Sequence, residues 1–411
     1  MPCIISAFSS PRRQLLRVSA LGAAAIAHPA LLASAAQWQS AFGYPTGWGT
    51  RNDWNDKANR IGNYSGGFER MLRASTIQPS SEPSPLRAAP LAFSEPVSVA
   101  AKLAEDYVRD FPCTGLLIAR NGFVLHERYQ FGRTRDMRMT SWSMAKSVTS
   151  LLLGICIDRA LIGSVDDVAS KYVPRLNGTL HGGVSLRNLV NMSSGAEIEH
   201  ERDNSTIYPR AFLTARSDIE AVVLDWNGVK ETQGTRYNYN ELCPLTIGLV
   251  IREVTGKSLS AFCEEALWKP MGAEAEATWL CDAKGREFNC IGFGACLRDW
   301  ARVGQLIAQG GMMNGRQVVS RGWLDFCSSW SPQDQQVRFN SAMPGGGYKA
   351  FFWHPRANGS LMMMVGAYGQ RMLIDTTTKM VFVHTAVDSE GAWNARMNQV
   401  WNSANAARFP F

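Results

Sequence analysis

Ser143 and Lys146 stand three residues apart at the opening of a strongly helical run, and Ser143-Met144-Ala145-Lys146 is the one Ser-x-x-Lys in 411 residues. Residues at i and i+3 share a helix face, so the lysine amine can reach the serine hydroxyl. The first turn of a helix leaves backbone N–H groups unpaired and carries the positive end of the dipole, which favours negative charge on the serine oxygen. A serine hydroxyl is a weak nucleophile until a neighbouring base takes its proton, and a lysine at its ordinary pKa of about 10.4 is already protonated. Burial beside Met144, Val148 and Leu152, with a proton acceptor nearby, is expected to make Lys146 a working base. The chemistry so outlined is acyl transfer through a serine ester. The tetrapeptide also arises by chance, as a helix start with a surface lysine, so its surroundings decide its meaning.

Two further clusters matter. Gly234-Thr235-Arg236-Tyr237-Asn238-Tyr239-Asn240-Glu241 precedes an amphipathic helical run and offers two phenols, Tyr237 and Tyr239, as proton carriers. Met364-Val365-Gly366-Ala367-Tyr368-Gly369-Gln370 ends a β-like run in a glycine turn. Glu197, Glu199, His200, Glu201 and Asp203 read as a solvated loop rather than a metal site, and His354 and His384 as strand-end or core residues. The chain has no Gly-x-Ser-x-Gly, which disfavours an α/β-hydrolase triad. No P-loop or dinucleotide fingerprint stands out, so neither cofactor nor metal is expected.

The elements that must position these residues follow from periodicity. Val97 to Asp110 has helical spacing. Apolar runs at 115–120 and 123–129 flank Asn121-Gly122, a strong hairpin signal. Ser141 is expected to cap a helix running to about Ala160. Helical pieces dominate 160–300, among them 244–254 stopped by Gly256, 260–267 and 299–309. Residues 360–365, 371–375 and 380–385 are β-like. The pattern is α+β: one antiparallel sheet built from both chain ends, flanked by helices, with a mostly helical second lobe over about 160–295. Residues 36–75, rich in Trp, Gly and Asn, read as irregular structure packed on a body. Residues 76–96, rich in Pro and Ser, read as a linker, which makes 36–96 an N-terminal arm and 97–411 the main domain.

Ser141-Trp142-Ser143-Met144-Ala145-Lys146-Ser147-Val148-Thr149-Ser150 is similar to the active-site segment of class C β-lactamase-related serine hydrolases, which have the penicillin-recognising, β-lactamase/DD-peptidase-like fold. It most resembles 6-aminohexanoate-dimer (nylon oligomer) hydrolases and their esterase relatives. Residues 117–122, 189–195 and 298–304 fit the same family in the same order, and the resemblance covers roughly 97–390. It implies a hydrolase of amide or ester bonds in small substrates, with Ser143 as nucleophile, Lys146 as base and Tyr239 as proton shuttle. Tyr239 is preferred to Tyr237 for its distance from Gly234 and to Gly248. The family's Tyr-x-Asn falls on Tyr239-Asn240-Glu241, so Glu241 stands where an Asn contact to substrate is usual. The strand that carries Lys-Thr-Gly in penicillin-binding enzymes falls on Met364-Val365-Gly366, without the lysine and threonine, which argues against an efficient β-lactamase or carboxypeptidase. The resemblance implies an oxyanion hole of the Ser143 and Ala367 N–H groups. It sets Trp142, Glu199, Glu241, Gly366 and Tyr368 near the substrate, an acid such as Glu199 meeting a cationic end. The alternatives are a β-lactamase or D-amino-acid peptidase and, in another class, a catalytically silent binding or sensor protein of the same fold.

Composition fits this reading. The chain is 45% hydrophobic and 19% charged, with a formal charge of +7. The first 35 residues carry Arg12, Arg13 and Arg17 and no acid, which leaves +4 for the remainder. No basic stripe interleaved with aromatics marks a nucleic-acid surface. Arg12-Arg13 precede an apolar run, Val18 to Leu32, and small residues at 33–36, the layout of a signal peptide over 1–35 of the twin-arginine type. The run is shorter than the roughly 20 residues of a membrane span. An exported, periplasmic protein without a stable membrane anchor is expected. Of nine cysteines, eight lie beyond this segment, without C-x-x-C spacing. Cys281 and Cys290 are the nearest candidates for a disulfide, with buried free thiols as the other reading.

Overall fold

The computed structural model describes residues 48–89, 95–388 and 393–407, so the expected export segment lies outside the described residues. In chain order its strands are β1 Ala74–Ile77, β2 Arg87–Ala88, β3 Cys113–Arg120, β4 Phe123–Tyr129, β5 Arg138–Thr140, β6 Ala277–Leu280, β7 Phe293–Cys296, β8 Met312–Met313, β9 Arg316–Gln317, β10 Phe339–Met343, β11 Gly346–Lys349, β12 Phe352–His354, β13 Leu361–Val365, β14 Arg371–Asp375 and β15 Met380–Ala386. The six helices that frame the site are α1 Glu95–Asp110, α2 Met144–Asp158, α3 His200–Tyr208, α4 Leu242–Thr255, α5 Leu297–Ala308 and α6 Trp393–Ala406.

The expected hairpin forms because Asn121 and Gly122 both take positive φ, 47° and 79°, as a tight two-residue turn between right-twisted strands requires. β15 pairs with β3 across the sheet, so the two chain ends share it. The nine strands run β10-β11-β12-β13-β14-β15-β3-β4-β2. Every pairing is antiparallel except the edge pair β2–β4, which is parallel. α5 packs against β3, β14 and β15 on one face, with Gly304 over Met372 and Val381. On the opposite face α1 carries Tyr107 to His384 and packs against α6. Covered on both faces, β3 is buried along nearly its whole length.

The central residues form the helical lobe, together with a small sheet in the order β1-β6-β7-β5. α4 is stopped where expected: Gly256 follows it at φ 64°, the left-handed position that glycine tolerates. Ser141 is not the cap of α2. Its N–H continues the β5–β7 pairing by donating to Phe293 O at 2.7 Å. Its hydroxyl is used by Trp142 O and the Phe293 N–H. The N-cap position belongs to Ser143, whose side chain makes no capping bond and is left for other work.

Residues read as a linker are tied down. Ser80 and Ser84 donate backbone bonds to Ala273 and Gly272, and the Ser84 hydroxyl donates to Met271 O. The eight cysteines beyond Cys3 are all free and buried. Cys281 Sγ lies 2.9 Å from Ser75 Oγ, while Cys290 Sγ donates to Glu241 O, so the two candidate partners face different neighbours and do not bond.

Candidate active site

The chain turns from β5 into α2 at Trp142, which holds a left-handed backbone, φ 43°. For a bulky residue that conformation is strained and persists only when its surroundings hold it. The indole is 4% exposed and packed among Tyr64, Trp54 and Tyr368. Gly366 permits the closest approach: a Cβ there would stand 2.3 Å from Ser141 O. The end of β13 is thereby brought against the turn that carries Ser143.

Ser143 and Lys146 meet as their spacing predicts, with Nζ 3.0 Å from Oγ. Lys146 is 1% exposed. Its ammonium also donates to Cys290 O at 3.1 Å and lies 2.6 Å from Glu241 Oε2. That last contact is angled, so it is charge pairing more than an aligned hydrogen bond. Burial by itself lowers the pKa of Lys146. The Glu241 carboxylate, together with Tyr239 and Cys290, outweighs it and holds the amine above its ordinary pKa. Burial likewise pushes Glu241 up, and Lys146, with His200 and Cys290, then brings it below its ordinary value. Burial and a neighbouring proton acceptor, the two features expected around Lys146, are both present, and the acceptor is an opposite charge that shares the buried site with it.

Tyr239 stands over Lys146, whose Nζ is 4.9 Å from the ring centroid. Its ring is fixed by Trp353, Tyr348 and His200. Loss of water around the phenol raises its pKa, while Lys146 and hydrogen bonding to Ser143 pull it back. Tyr237 packs on the same Tyr348 and Trp353 but has no ring contact with Lys146 or His200 among the described residues. Its buried hydroxyl does not line the cavity at Ser143.

Among the described residues, no hydrogen bond ties up the backbone N–H of Ser143 or of Ala367. The loop carrying Ala367 is braced on several sides. Gln370 Nε2 donates to Ala367 O, Tyr368 O and Ala386 O. Arg371 donates to Gly366 O and Gln370 O. His384 Nδ1 meets Gly369 O at 2.6 Å while its Nε2 faces the Tyr107 hydroxyl at 2.9 Å. That pairing selects the Nδ1–H tautomer, and burial lowers the His384 pKa to about 4, so the ring is neutral at pH 7. His384 is a core residue that supports this loop.

A cavity of about 580 Å³ opens over Ser143. Trp54, Trp142, Tyr208 and Tyr368 with Leu213 give it a largely aromatic wall, and His200, Glu201 and Asn204 of α3 a polar one. Trp142, Gly366, Ala367, Tyr368 and Tyr239 all line it, as expected of substrate-facing residues. Glu199 does not: it is exposed on the rim of α3, paired with Arg202 at 3.2 Å, because the helix begins at His200 and turns it outward. Glu241 is not a substrate contact either. It lies fully buried behind Lys146, its Oε1 receiving the Tyr208 hydroxyl at 3.2 Å. Sequence reasoning missed Trp54, Asn55, Tyr208 and the Cys290 carbonyl. The tryptophans of 36–75 were the one available signal for the first two. No group of acidic, His and Cys side chains among the described residues is arranged to hold a metal.

Residues 100–385 match the family model described as Beta-lactamase. The 6-aminohexanoate-dimer hydrolase of Paenarthrobacter ureafaciens is 26% identical over 282 residues, spanning 66% of this chain and 72% of that protein. Among solved structures, a Bacillus anthracis protein named a "putative 6-aminohexanoate-dimer hydrolase" has a similar fold, with TM-score 0.71 at 21% identity over 86% of this chain and 95% of that one. A family VIII carboxylesterase gives 0.57 at 16% identity, over 75% and 96%.

Proposed function

The chain belongs to the beta-lactamase family and is a serine hydrolase of it, and from that premise we propose that Ser143 is acylated by small amide or ester substrates. The observation that carries the reading is Ser143 Oγ 3.0 Å from Lys146 Nζ, beside a cavity lined by Ser143 and Ala367, whose backbone N–H groups carry no hydrogen bond among the described residues. Lys146 takes the Ser143 proton as the oxygen attacks the carbonyl. The N–H groups of Ser143 and Ala367 hold the oxyanion, a contribution worth about 10²–10³ in rate per donor. Tyr239 protonates the leaving amine or alcohol, and water releases the acyl group by the reverse path.

The cavity favours a substrate with an apolar arm against Trp54 and Trp142 and a polar end toward α3, where Glu201 rather than Glu199 is the acid within reach. This suits a linear amide or ester of the kind named for the Paenarthrobacter relative. A β-lactam or D-peptide fits less well, since Met364 and Val365 stand where a lysine and threonine would hold the substrate carboxylate. Export through the Arg12-Arg13 segment belongs to the same proposal. Assays of the mature protein on short-chain p-nitrophenyl esters, linear amides, D-peptides and nitrocefin test it. Turnover of esters or linear amides that vanishes in Ser143→Ala is expected; nitrocefin as the best substrate would move the protein to the lactamase reading.

A further inference from the structure

An ammonium has three hydrogens and no lone pair. Lys146 Nζ faces three oxygens: Ser143 Oγ at 3.0 Å, Cys290 O at 3.1 Å and Glu241 Oε2 at 2.6 Å. In the resting site it therefore has no room for the Ser143 proton until it gives one up. Among the described residues Glu241 is the carboxylate paired with Lys146, and both side chains are essentially out of water. We propose that Glu241 is the proton store of this site: as Ser143 attacks, Lys146 accepts the hydroxyl proton and passes one of its own to Glu241.

The proposal rests on the acyl-enzyme reading above. The Ser143 O–H bond breaks as its oxygen bonds to the acyl carbon. One N–H forms and one breaks at Lys146, and an O–H forms on Glu241. The charges balance: the ion pair becomes an ammonium beside a neutral acid, and the lost negative charge reappears on the oxyanion. When Tyr239 protonates the leaving group, Lys146 refills the phenol and recovers its proton from Glu241. Glu241 touches no substrate and acts through Lys146, so it is a positioning residue. An amide at residue 241 could hold the lysine by a hydrogen bond but could not take its proton.

The titratable and charged groups around Glu241 are Lys146 of α2, His200 and Tyr208 of α3, Tyr239 before α4, Cys243 within α4, Cys290 before β7 and Tyr348 of β11. Burial lowers the pKa of His200 and raises those of the phenols and thiols, so at neutral pH the Lys146–Glu241 pair carries the charge.

The test is the pH profile of kcat/KM for p-nitrophenyl butyrate in the wild type and in Glu241→Gln. In the wild type, activity should fall only in acid, where Glu241 is protonated, below its ordinary value of 4.5. In Glu241→Gln, Lys146 must lose its proton to solvent. The acid limb should then climb by about two pH units or more, which is about 100-fold less activity on the acid side, recovering in alkali. A profile lowered evenly, with its limb unmoved, overturns the proposal. Should Glu241→Gln not fold, the wild type decides through the acylation rate in mixtures of light and heavy water: a bowed dependence marks two protons in transit, a straight line one. Activity surviving Ser143→Ala would instead sink the acyl-enzyme reading itself.

Discussion

At the scale of single residues the account turns on charges hidden from water. A buried ion pair is costly to break from one side: removing one partner leaves the other charged and unpaired, at about 3–5 kcal/mol. Lys146→Met should therefore destabilise the protein by about that much, and adding Glu241→Gln should recover a good part of it, as urea melts of the two variants will show. The sign against pH follows from the shifts. Glu241, held low, stabilises above 4.5 and loses that contribution as pH falls through its folded value. Lys146, held high, stabilises below 10.5 and loses it as pH rises past its folded value. The pair thus supports the fold across the whole neutral range. Tyr239→Phe keeps the ring against Trp353 and Tyr348 and should leave the melting temperature nearly unchanged. It should also slow acylation by about 10²–10⁴-fold, read in a stopped-flow burst. Ser143 and Lys146 were legible in the sequence because helix periodicity joins residues three apart. Glu241 could be found, as a departure from Tyr-x-Asn, but not its role: that depends on two helices nearly a hundred residues apart packing side by side.

At the scale of elements, the site is the meeting of a turn and a strand end. Trp142 holds the turn in a strained backbone, and Gly366 lets β13 lie against Ser141. Gly366→Ala puts a methyl within 2.3 Å of that carbonyl, a distance no real Cβ tolerates. The strand must move and carry the Ala367 N–H with it. A fall in kcat of about 10²–10³-fold, the cost of one lost oxyanion donor, is expected with KM changed far less. The elements themselves were largely legible: the Asn121-Gly122 hairpin, the helix ended by Gly256 and the three final strands stand where patterning puts them. Ser141 misled because serine before a helix reads as a cap. Here the pairing of β5 with β7 runs one residue further and consumes it, which a local pattern does not encode.

At the scale of the whole molecule, Trp54 and Asn55, which precede residue 97, help to line the cavity over Ser143. Trp54 packs on Trp142, Tyr208 and Phe212. Asn55 donates to the Tyr368 hydroxyl at 2.9 Å, and Arg60 lies over the Tyr368 ring. Trp54→Ala should raise KM for butyrate and longer esters more than for acetate, since the arm supplies the apolar wall, and steady-state kinetics over a chain-length series will show it. Composition marked residues 36–75 as packed on a body, but a list of residue types does not say on which part. Residues 76–96 looked like a spacer because Pro and Ser signal irregular backbone, and irregular backbone can still be pinned at Ser80 and Ser84. No helix among the described residues is long and apolar enough to cross a membrane.

The central claim is that the hydroxyl of residue 143 becomes an ester during turnover. Acid quenching of the protein milliseconds after mixing with p-nitrophenyl butyrate, followed by peptide mass mapping, reads this directly. A butyryl group on the peptide bearing Ser143, absent from Ser143→Ala, is the predicted result; acylation at another residue, or undiminished turnover in Ser143→Ala, contradicts the account.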